Sequence, residues 1–238
     1  MPVASRCAAI IPCLNEAATI GAITRGLRLR LPSVIVVDDG SGDATADEAR
    51  QAGATVVRLD RTLGKGAALR AGIEVATSAR FDWALLMDGD GQHSVEDVGV
   101  FVEAAELGGA EMVIGNRMHS AESIPWLRRQ VNRWMSRDLS RCIGARVPDS
   151  QCGFRLVELS TWNRLQPAGE GFLIESAMIV AFAKAGCRIL HVPIRVLPRE
   201  QGRSRIRSIR DTIRWLRWRI TAGKMPGTWS STPGVGLR

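Results

Sequence analysis

The sequence predicts an α/β fold in which a mostly parallel sheet is flanked by helices. Short runs rich in Val and Ile alternate with amphipathic stretches from the amino terminus to Gly115, which is typical of parallel strands joined by helices. Polar residues follow the ends of these runs, and an open parallel sheet binds its ligand at the carboxyl ends of its strands. A chain of 238 residues with 45% hydrophobic and 24% charged residues is long and apolar enough to bury one core.

The individual elements follow in chain order. The apolar runs at residues 7–11, 34–38, 55–59, 83–87 and 112–115 are predicted strands. The intervening residues 16–30, 44–52, 65–77 and 95–107 repeat apolar side chains at helical spacing and are predicted helices. The first of these helices begins near Asn15, a residue type that caps helices well.

The second half of the chain is predicted to be rich in arginine and mainly helical. Residues 126–144 predict an amphipathic helix with Leu127, Val131, Trp134 or Met135, and Leu139 on one face. A turn region at 149–155, a buried helix at 175–185 and a strand at 188–192 follow. A second Arg-rich segment carries one helical stripe formed by Ile206, Ile209, Ile213, Leu216 and Ile220. Residues 221–238 hold Gly, Pro, Ser and Thr in place of core residues, and we expect a disordered tail there.

The charge is divided unequally along the chain. Residues 1–124 carry 11 Lys and Arg against 17 Asp and Glu, a net charge of −6. Residues 125–238 carry 21 against 7, a net charge of +14. An acidic first part suits a metal-assisted site, and a basic second part suits phosphate groups, nucleic acid or an anionic membrane surface.

Several classes of protein are disfavoured by the same sequence. Five cysteines without a CxxC pair predict free thiols rather than a disulfide framework or a zinc site. No apolar run approaches the ~18 residues of a membrane span, and the amino terminus is a poor secretory signal, so we expect a cytoplasmic protein. The segment Gly64-Lys65-Gly66 fits neither a P-loop nor a dinucleotide fingerprint. No recognised DNA or RNA module is present, so nucleic acid is not a predicted partner.

Polar residues converge at the ends of the predicted strands. Asp88-Gly89-Asp90 follows the apolar run LLM, and Gln92 lies two residues further on. Oxygen ligands of this kind suit Mg²⁺ or Mn²⁺ bridging a diphosphate, although an isolated DGDG sequence is more often a solvated turn. Asp39 follows the run IVV and can accept a hydrogen bond from a base or ribose. The alternative for that segment is a turn in which Ser41 or Asp43 caps a helix.

An ordered series of motifs resembles one enzyme family. The series is IIPCLNE, VIVVDDGSGDAT, GKGAALRAG, LLMDGDGQH, GNR, DSQCGFR, GFLIESAMIVAFAKAG and VPI followed by PREQGRSRI. It resembles the family 2 glycosyltransferases of GT-A fold over roughly residues 7–206. Within them it is similar to the polyprenyl-phosphate glycosyltransferases typified by dolichyl-phosphate mannose synthase.

The resemblance implies a set of site residues. The nucleotide-sugar would be bound by Pro12, Leu14, Glu16, Val37, Asp39, Lys65, Asp88, Gly89 and Asp90. Asp88, Asp90 and Gln92 would hold Mg²⁺ or Mn²⁺, and Asp90, Arg117 and Asp149 would be catalytic. The phosphate groups of the acceptor would meet Arg117, Arg129, Arg155, Ser204 and Arg205.

Three departures from the family pattern stand out. Leu14 replaces an aromatic residue that often contacts the nucleotide, and Ser204-Arg205 replaces a usual Ser-Lys pair. Many relatives also continue into membrane helices after this motif, and this sequence shows none.

The expected reaction is inverting transfer of a sugar from a nucleotide-sugar to a polyprenyl phosphate at the cytoplasmic membrane face. Residues 1–220 would form one domain, with a nucleotide and metal half at about 1–117 and an acceptor half at about 118–220. Asp149 would be a general base if the acceptor were a hydroxyl, and otherwise a positioning or Arg-pairing residue. The alternatives are a soluble family 2 transferase acting on a hydroxyl or small phosphorylated acceptor, and a non-catalytic nucleotide- or lipid-binding relative.

Two further expectations concern buried charge and membrane contact. Glu175 lies in an otherwise apolar helix and should pair with Arg155, Arg117 or a loop amide. In the second Arg-rich segment, Trp215 and Trp218 fall among arginines, a composition typical of helices that lie peripherally on an anionic membrane surface. The alternative is a solvated basic face with both rings packed inside.

Overall fold

A computed structural model describes residues 2–118, 125–198 and 215–218. Ser204, Arg205, the apolar stripe at residues 206–213 and 220, and the tail at 221–238 lie outside the described residues. In the described part of the chain, no helix is both long and apolar enough to cross a membrane.

In the residues that the structure describes, seven strands form one sheet. The strands are β1 (Cys7–Cys13), β2 (Ser33–Asp38), β3 (Thr55–Arg58), β4 (Trp83–Leu86), β5 (Met112–Asn116), β6 (Arg155–Glu158) and β7 (Ile189–Pro193). Their spatial order is β3-β2-β1-β4-β6-β5-β7. All neighbouring pairs are parallel except those of β6, which runs antiparallel to both β4 and β5. The predicted mostly parallel α/β sheet is confirmed.

Helices connect the strands and cover the sheet. The helices are α1 (Ala17–Arg28), α2 (Thr45–Gln51), α3 (Lys65–Ser78), α4 (Val98–Gly108), α5 (Trp126–Ile143), α6 (Leu159–Leu165) and α7 (Leu173–Lys184). Helix α3 packs on β1 and β2, while α7 packs on α3, α5, α6 and β7. Helix α4 begins later than predicted because Ser94 accepts a hydrogen bond from the backbone N–H of Glu96, which closes a 3₁₀ turn first.

Strand β6 and helix α6 were not predicted. The four-residue strand RLVE opens with a charged residue directly after a turn sequence, so neither its length nor its pattern marks it as a strand. It is recognisable only from its pairing, in which Arg155 lies opposite both Leu86 and Ile114. The antiparallel direction brings the segment before β6 to the carboxyl ends of β4 and β5.

The buried face of α5 differs from the predicted apolar stripe. Met135 and Leu139 are buried as expected, but Leu127 and Trp134 are exposed. Polar Asn132 and Ser136 continue the buried face in their place. The sequence pattern did not predict that these two polar side chains are buried, because their hydrogen-bond partners inside the protein come from another part of the chain.

Trp215 does not lie on an exposed basic face. Its side chain is 1% exposed, its indole N–H donates to the Oγ of Ser176 at 3.0 Å, and its ring meets Trp134 edge-on at 5.3 Å. Trp218 is half-buried against the core. The predicted membrane contact through Trp215 is therefore wrong, because a buried hydroxyl satisfies the indole N–H and allows the ring to pack inside.

Candidate active site

The loops after β1 and β2 are tied together by hydrogen bonds. The backbone N–H of Asn15 donates to the Oγ of Ser41, and the Oδ1 of Asn15 accepts from the N–H of Gly42, both at 2.8 Å. Asn15 itself adopts a positive φ of 48°, which asparagine tolerates well. The Glu16 N–H donates to the Oγ1 of Thr45 at 2.8 Å. The segment implied to bind the nucleotide is thus fixed to the end of the neighbouring strand.

Asp39 holds the loop that leads into α3. Its two carboxylate oxygens accept hydrogen bonds from the backbone N–H groups of Leu63, at 2.7 Å, and Gly64, at 2.8 Å. Gly64 has a φ of +89°, a conformation that favours glycine. The Oδ2 of Asp43 accepts from the N–H of Ala17, the first residue of α1, at 3.3 Å. The capping role proposed for this segment therefore belongs to Asp43, while Asp39 sets the position of Lys65.

Lys65 lies between two carboxylates at the start of α3. Its Nζ contacts Asp88, which follows β4, and lies 2.6 Å from the Oε1 of Glu175 on α7. Burial alone would lower the pKa of Lys65, but these two charges raise it above its usual range. The predicted pairing of the Glu175 carboxylate with Arg155, Arg117 or a loop amide is therefore wrong, because α3 brings an ammonium group closer.

Asp88 and Asp90 lie at the carboxyl end of β4. Burial would raise the pKa of Asp88, yet the charge of Lys65 and the His93 imidazole, whose Nε2 lies 3.6 Å from the Oδ2 of Asp88, keep that pKa well below its usual range. The Oδ1 of Asp90 accepts from the backbone N–H of Gln92 at 3.1 Å. Among the described residues, no group of three or more His, Cys, Asp and Glu side chains is placed to bind a metal. Two carboxylates and one amide fit Mg²⁺ or Mn²⁺, which take few protein ligands and complete their shell with substrate oxygens.

Two glycines allow close packing of the loop Asp88-Gly89-Asp90, which we call the acidic loop. A Cβ atom on Gly89 would lie 2.6 Å from the Sγ of Cys13. A Cβ atom on Gly153 would lie 2.5 Å from the Oδ2 of Asp88 and 2.7 Å from the Nζ of Lys65. Gly153 was not predicted as a site residue, although its place within DSQCGFR was part of the resemblance.

Arg117, which is half-buried, forms an ion pair with the buried Asp149 beyond the end of β5. The Nε of Arg117 lies 2.8 Å and its Nη2 3.0 Å from the two oxygens of Asp149, which also accept from the Arg117 backbone N–H and from the Nδ2 of Asn132. Burial would raise the pKa of Asp149, but Arg117 and these hydrogen bonds lower it to about 2. The Asp149 side chain is 0% exposed. A carboxylate so placed is a poor general base, and the geometry favours the Arg-pairing alternative.

Arg129 lies on the side of α5 that faces this pair, one helical turn before Asn132. Its Nε is buried and has no hydrogen-bond partner among the described residues. A buried donor without a partner is costly, and a bound anion would satisfy it.

Two of the implied site residues are placed elsewhere. Arg155 is 0% exposed, and its guanidinium donates to the backbone carbonyls of Cys152, Glu175 and Ser150 at 2.8, 2.7 and 2.9 Å. The prediction that Arg155 binds the acceptor is wrong, because all three of its nitrogens are used within the protein. Val37 is also 0% exposed and packs in the core facing α3, so its side chain does not reach a nucleotide.

The other implied residues in the described ranges stay near the sheet edge. Pro12, Leu14, Glu16, Lys65, Asp88, Asp90, Gln92 and Arg117 are all half-buried, as expected for side chains that line a cleft. Gly89 and Asp39 are buried among them. The acidic loop and Arg117 follow β4 and β5, which are separated in the sheet by β6 alone.

Comparisons with known proteins agree with this architecture. The crystal structure of glucosyl-3-phosphoglycerate synthase from Mycobacterium tuberculosis, in complex with Mn²⁺, uridine-diphosphate and phosphoglyceric acid, superimposes with a TM-score of 0.74 at 21% sequence identity. The match covers 98% of this chain and 82% of that one. This likeness confirms the predicted GT-A fold.

Sequence relatives point to the same family. Glycosyltransferase AglJ of Haloferax volcanii is 31% identical over 207 residues, covering 85% of this chain and 66% of the relative. Undecaprenyl-phosphate mannosyltransferase of Micrococcus luteus is 31% identical over 212 residues, covering 83% of this chain and 86% of the relative. The model of the family described as "Glycosyl transferase family 2" matches residues 8–161. The chain therefore belongs to glycosyl transferase family 2.

Proposed function

We propose that this protein transfers a sugar from a nucleotide-sugar to a polyprenyl phosphate, with inversion at the anomeric carbon, while bound peripherally to the cytoplasmic face of the membrane. Residues 1–220 would act as one domain, with the donor bound by the half before about residue 117 and the acceptor by the half after it. The names of relatives such as the undecaprenyl-phosphate mannosyltransferase support a polyprenyl phosphate acceptor.

The donor half is suited to a nucleoside diphosphate. Asp88, Asp90 and Gln92 would hold Mg²⁺ or Mn²⁺, which when bound neutralises negative charge that develops on the leaving diphosphate. Mn²⁺ and uridine-diphosphate are present together in the similar synthase structure. Lys65 lies beside Asp88 with its pKa raised, so its ammonium group stays charged in this site. Asp39 keeps that lysine in place through the loop at Leu63 and Gly64.

Substituting Gly153 by alanine tests the packing of this half. The new methyl group would force Asp88 and Lys65 to move, and a displacement of about 1 Å in a reacting site can cost ~100-fold in rate. We expect kcat/KM for the donor to fall about 10–100-fold with little change in melting temperature. Gly99→Ala is the matched control, because nothing lies within 4 Å of a Cβ atom there. Equal activity of the two variants would show that the close approach of Gly153 is unimportant.

The observation that carries the acceptor assignment is the ion pair between Arg117 and the fully buried Asp149. A hydroxyl acceptor needs a general base, whereas a phosphate monoester is already anionic near neutral pH. Asp149, the candidate base, is fully buried and its pKa is about 2, so it is ill suited to take a proton. Arg117 and Arg129, whose Nε has no hydrogen-bond partner among the residues that the structure describes, instead offer guanidinium groups to an anionic acceptor. The phosphate oxygen would attack the anomeric carbon as the bond to the leaving diphosphate breaks.

The substitution Asp149→Asn separates the two possible roles of this residue. Asparagine keeps the shape and an acceptor oxygen for Arg117, so loss of positioning should lower kcat less than about tenfold, whereas loss of a general base costs ~10²–10⁴. We also expect the kcat/KM of the parent enzyme to show no dependence on Asp149 ionisation above pH 5, because the pKa of that carboxyl lies at about 2. A loss of 10² or more in a folded variant would favour the hydroxyl acceptor.

The function itself is tested with a panel of nucleotide-sugars, Mn²⁺ and paired acceptors. Undecaprenyl or dolichyl phosphate is compared with the matching free polyprenol, which lacks the phosphate, and with phosphoglyceric acid. We expect a labelled glycolipid from the polyprenyl phosphates alone, and none from an Asp90→Asn preparation. Product from the free polyprenol or from phosphoglyceric acid would support the soluble transferase instead. Donor binding without any transfer would support a non-catalytic relative.

A further inference from the structure

Helix α5 exposes large apolar side chains to solvent. Trp126 is 66% exposed, Leu127 is 61% exposed and Trp134 is 44% exposed. The opposite side of the helix is buried against the protein, through Met135, Leu139 and other residues. Exposed tryptophans are unusual on a surface that meets only water, because each ring gains free energy when it is buried. These side chains therefore indicate that this side of the helix contacts an apolar environment and not water alone.

The same side of the helix carries positive charge. Arg133, Arg137 and Arg141 follow one another at intervals of four residues and are all exposed. Helical spacing places Trp126 in line with this row, two turns before Arg133, and places Trp134 beside it. Asp138, the single acidic residue of α5, is half-buried; it lies beside the Arg row, one helical turn after Trp134. Together Trp126, Leu127, Arg133, Trp134, Arg137 and Arg141 form what we call the outer face of α5.

We propose that the outer face of α5 is the surface by which this protein docks on an anionic lipid bilayer, an inference that rests on the proposed function. Tryptophan with arginine and without exposed acid is the composition of a helix that lies in a membrane interface. The net charge of +14 on residues 125–238 is complementary to an anionic leaflet. The inner side of the same helix carries Arg129 and Asn132, next to the Arg117–Asp149 pair. Docking through the outer face would thus hold against the bilayer the same helix that carries those residues on its inner side.

The ring of Trp134 is supported from within the protein. It packs edge-on against the buried Trp215, whose indole N–H is satisfied by Ser176. Trp215 therefore contributes to the outer face of α5 indirectly, because its ring packs behind the exposed ring of Trp134. This arrangement keeps one tryptophan in the core and leaves another for the lipid.

Two variants of the full chain test the proposal. In the first, Arg133, Arg137 and Arg141 are replaced by Gln; in the second, Trp126 and Leu127 are replaced by Gln. The matched controls remove exposed residues elsewhere: Arg25, Arg50 and Arg188 to Gln in one variant, and Leu29 and Leu107 to Gln in the other. Because every replaced side chain is exposed, all four variants should keep the melting temperature of the parent.

Binding is measured by sedimentation with vesicles of phosphatidylcholine containing phosphatidylglycerol, at moderate salt. Each arginine near an anionic surface contributes binding free energy that corresponds to about a fivefold change in affinity. We therefore expect the triple Arg variant to bind about 100-fold more weakly. The Trp126/Leu127 variant should lose about tenfold, with less dependence on salt. The two controls should bind as the parent does. Unchanged binding in both outer-face variants would overturn the proposal.

Other outcomes separate this proposal from the proposed function and from self-association. Transfer to a short-chain, water-soluble prenyl phosphate should be unchanged in the outer-face variants, while transfer to vesicle-borne polyprenyl phosphate should fall. If the parent binds vesicles through this face but transfers no sugar to any acceptor, the function fails and the surface stands. If the parent is a dimer that the Trp126/Leu127 variant dissociates, and vesicles are not bound, the face is a contact between copies and the proposal is overturned.

Discussion

Replacing Asp90 by Asn is expected to lower kcat by about 10²–10³ or more while leaving the fold intact. Asp90 is half-buried at the end of β4, and one of its contacts is the hydrogen bond from the Gln92 backbone N–H, which asparagine can also accept. The substitution therefore removes one negative charge and little packing. Its effect should fall on the step in which charge moves onto the leaving diphosphate, because that step depends on a cation held by this loop.

The Asp90→Asn test combines steady-state kinetics with a metal titration. A chelator should abolish the activity of the parent, added Mn²⁺ should restore it, and the variant should need a higher Mn²⁺ concentration. Asp47→Asn is a suitable control because Asp47 is an exposed acid on α2 that pairs with the likewise exposed Arg50, three residues further along the helix. Near-full activity of the variant, together with indifference to chelator, would exclude a cation site at this loop.

Replacing Arg155 by Met should destabilise the protein by about 3–5 kcal/mol, because it leaves buried polar groups without their charged donor. The side chain is 0% exposed and donates to three backbone carbonyls, which lie in the loop before β6 and in α7. Methionine fills much of the volume but satisfies none of these acceptors. For a chain of this length the loss corresponds to a melting temperature lower by about 6–20 °C.

Thermal unfolding with acceptor kinetics distinguishes a structural Arg155 from one that binds the acceptor. A structural role predicts a lower melting temperature and an acceptor KM close to that of the parent below that temperature. An acceptor contact predicts the opposite, with normal stability and a raised KM. Arg188→Met serves as the control, since Arg188 is exposed just before β7 and its replacement should change neither quantity.

The sequence predicted the parts of this molecule that depend on local pattern. β1, β2 and β4 are short apolar runs, and residues at their carboxyl ends meet because parallel strands present those ends at one edge. Asp88 and Asp90 were therefore predictable as neighbours of Asp39. Helix α5 was predicted at residues 126–144 from the helical spacing of its apolar side chains, and it ends at Ile143 because Gly144 adopts a φ of 67°.

The parts that were missed depend on contacts between distant segments. The pairing of Lys65 with Glu175 joins α3 to α7. The spacing of residues along the chain does not predict this contact. Arg155 resembles a ligand-binding arginine in sequence, and the carbonyls that it satisfies become neighbours only after folding. Trp215 was misplaced for the same reason, because Ser176 is its partner only in the tertiary structure.

Strand β6 also determines when the sheet can be completed during synthesis. It pairs with β4 on one side and with β5 on the other, and no earlier strand occupies its position. Until residues 155–158 have left the ribosome, β4 and β5 each keep an unpaired edge with backbone groups open to other chains. The nascent protein thus passes through a stage in which β1, β2, β3 and β4 can already pair, while β5 has no neighbour in the sheet because β6 and β7 both follow it in the chain. Chaperone protection would matter most during that interval.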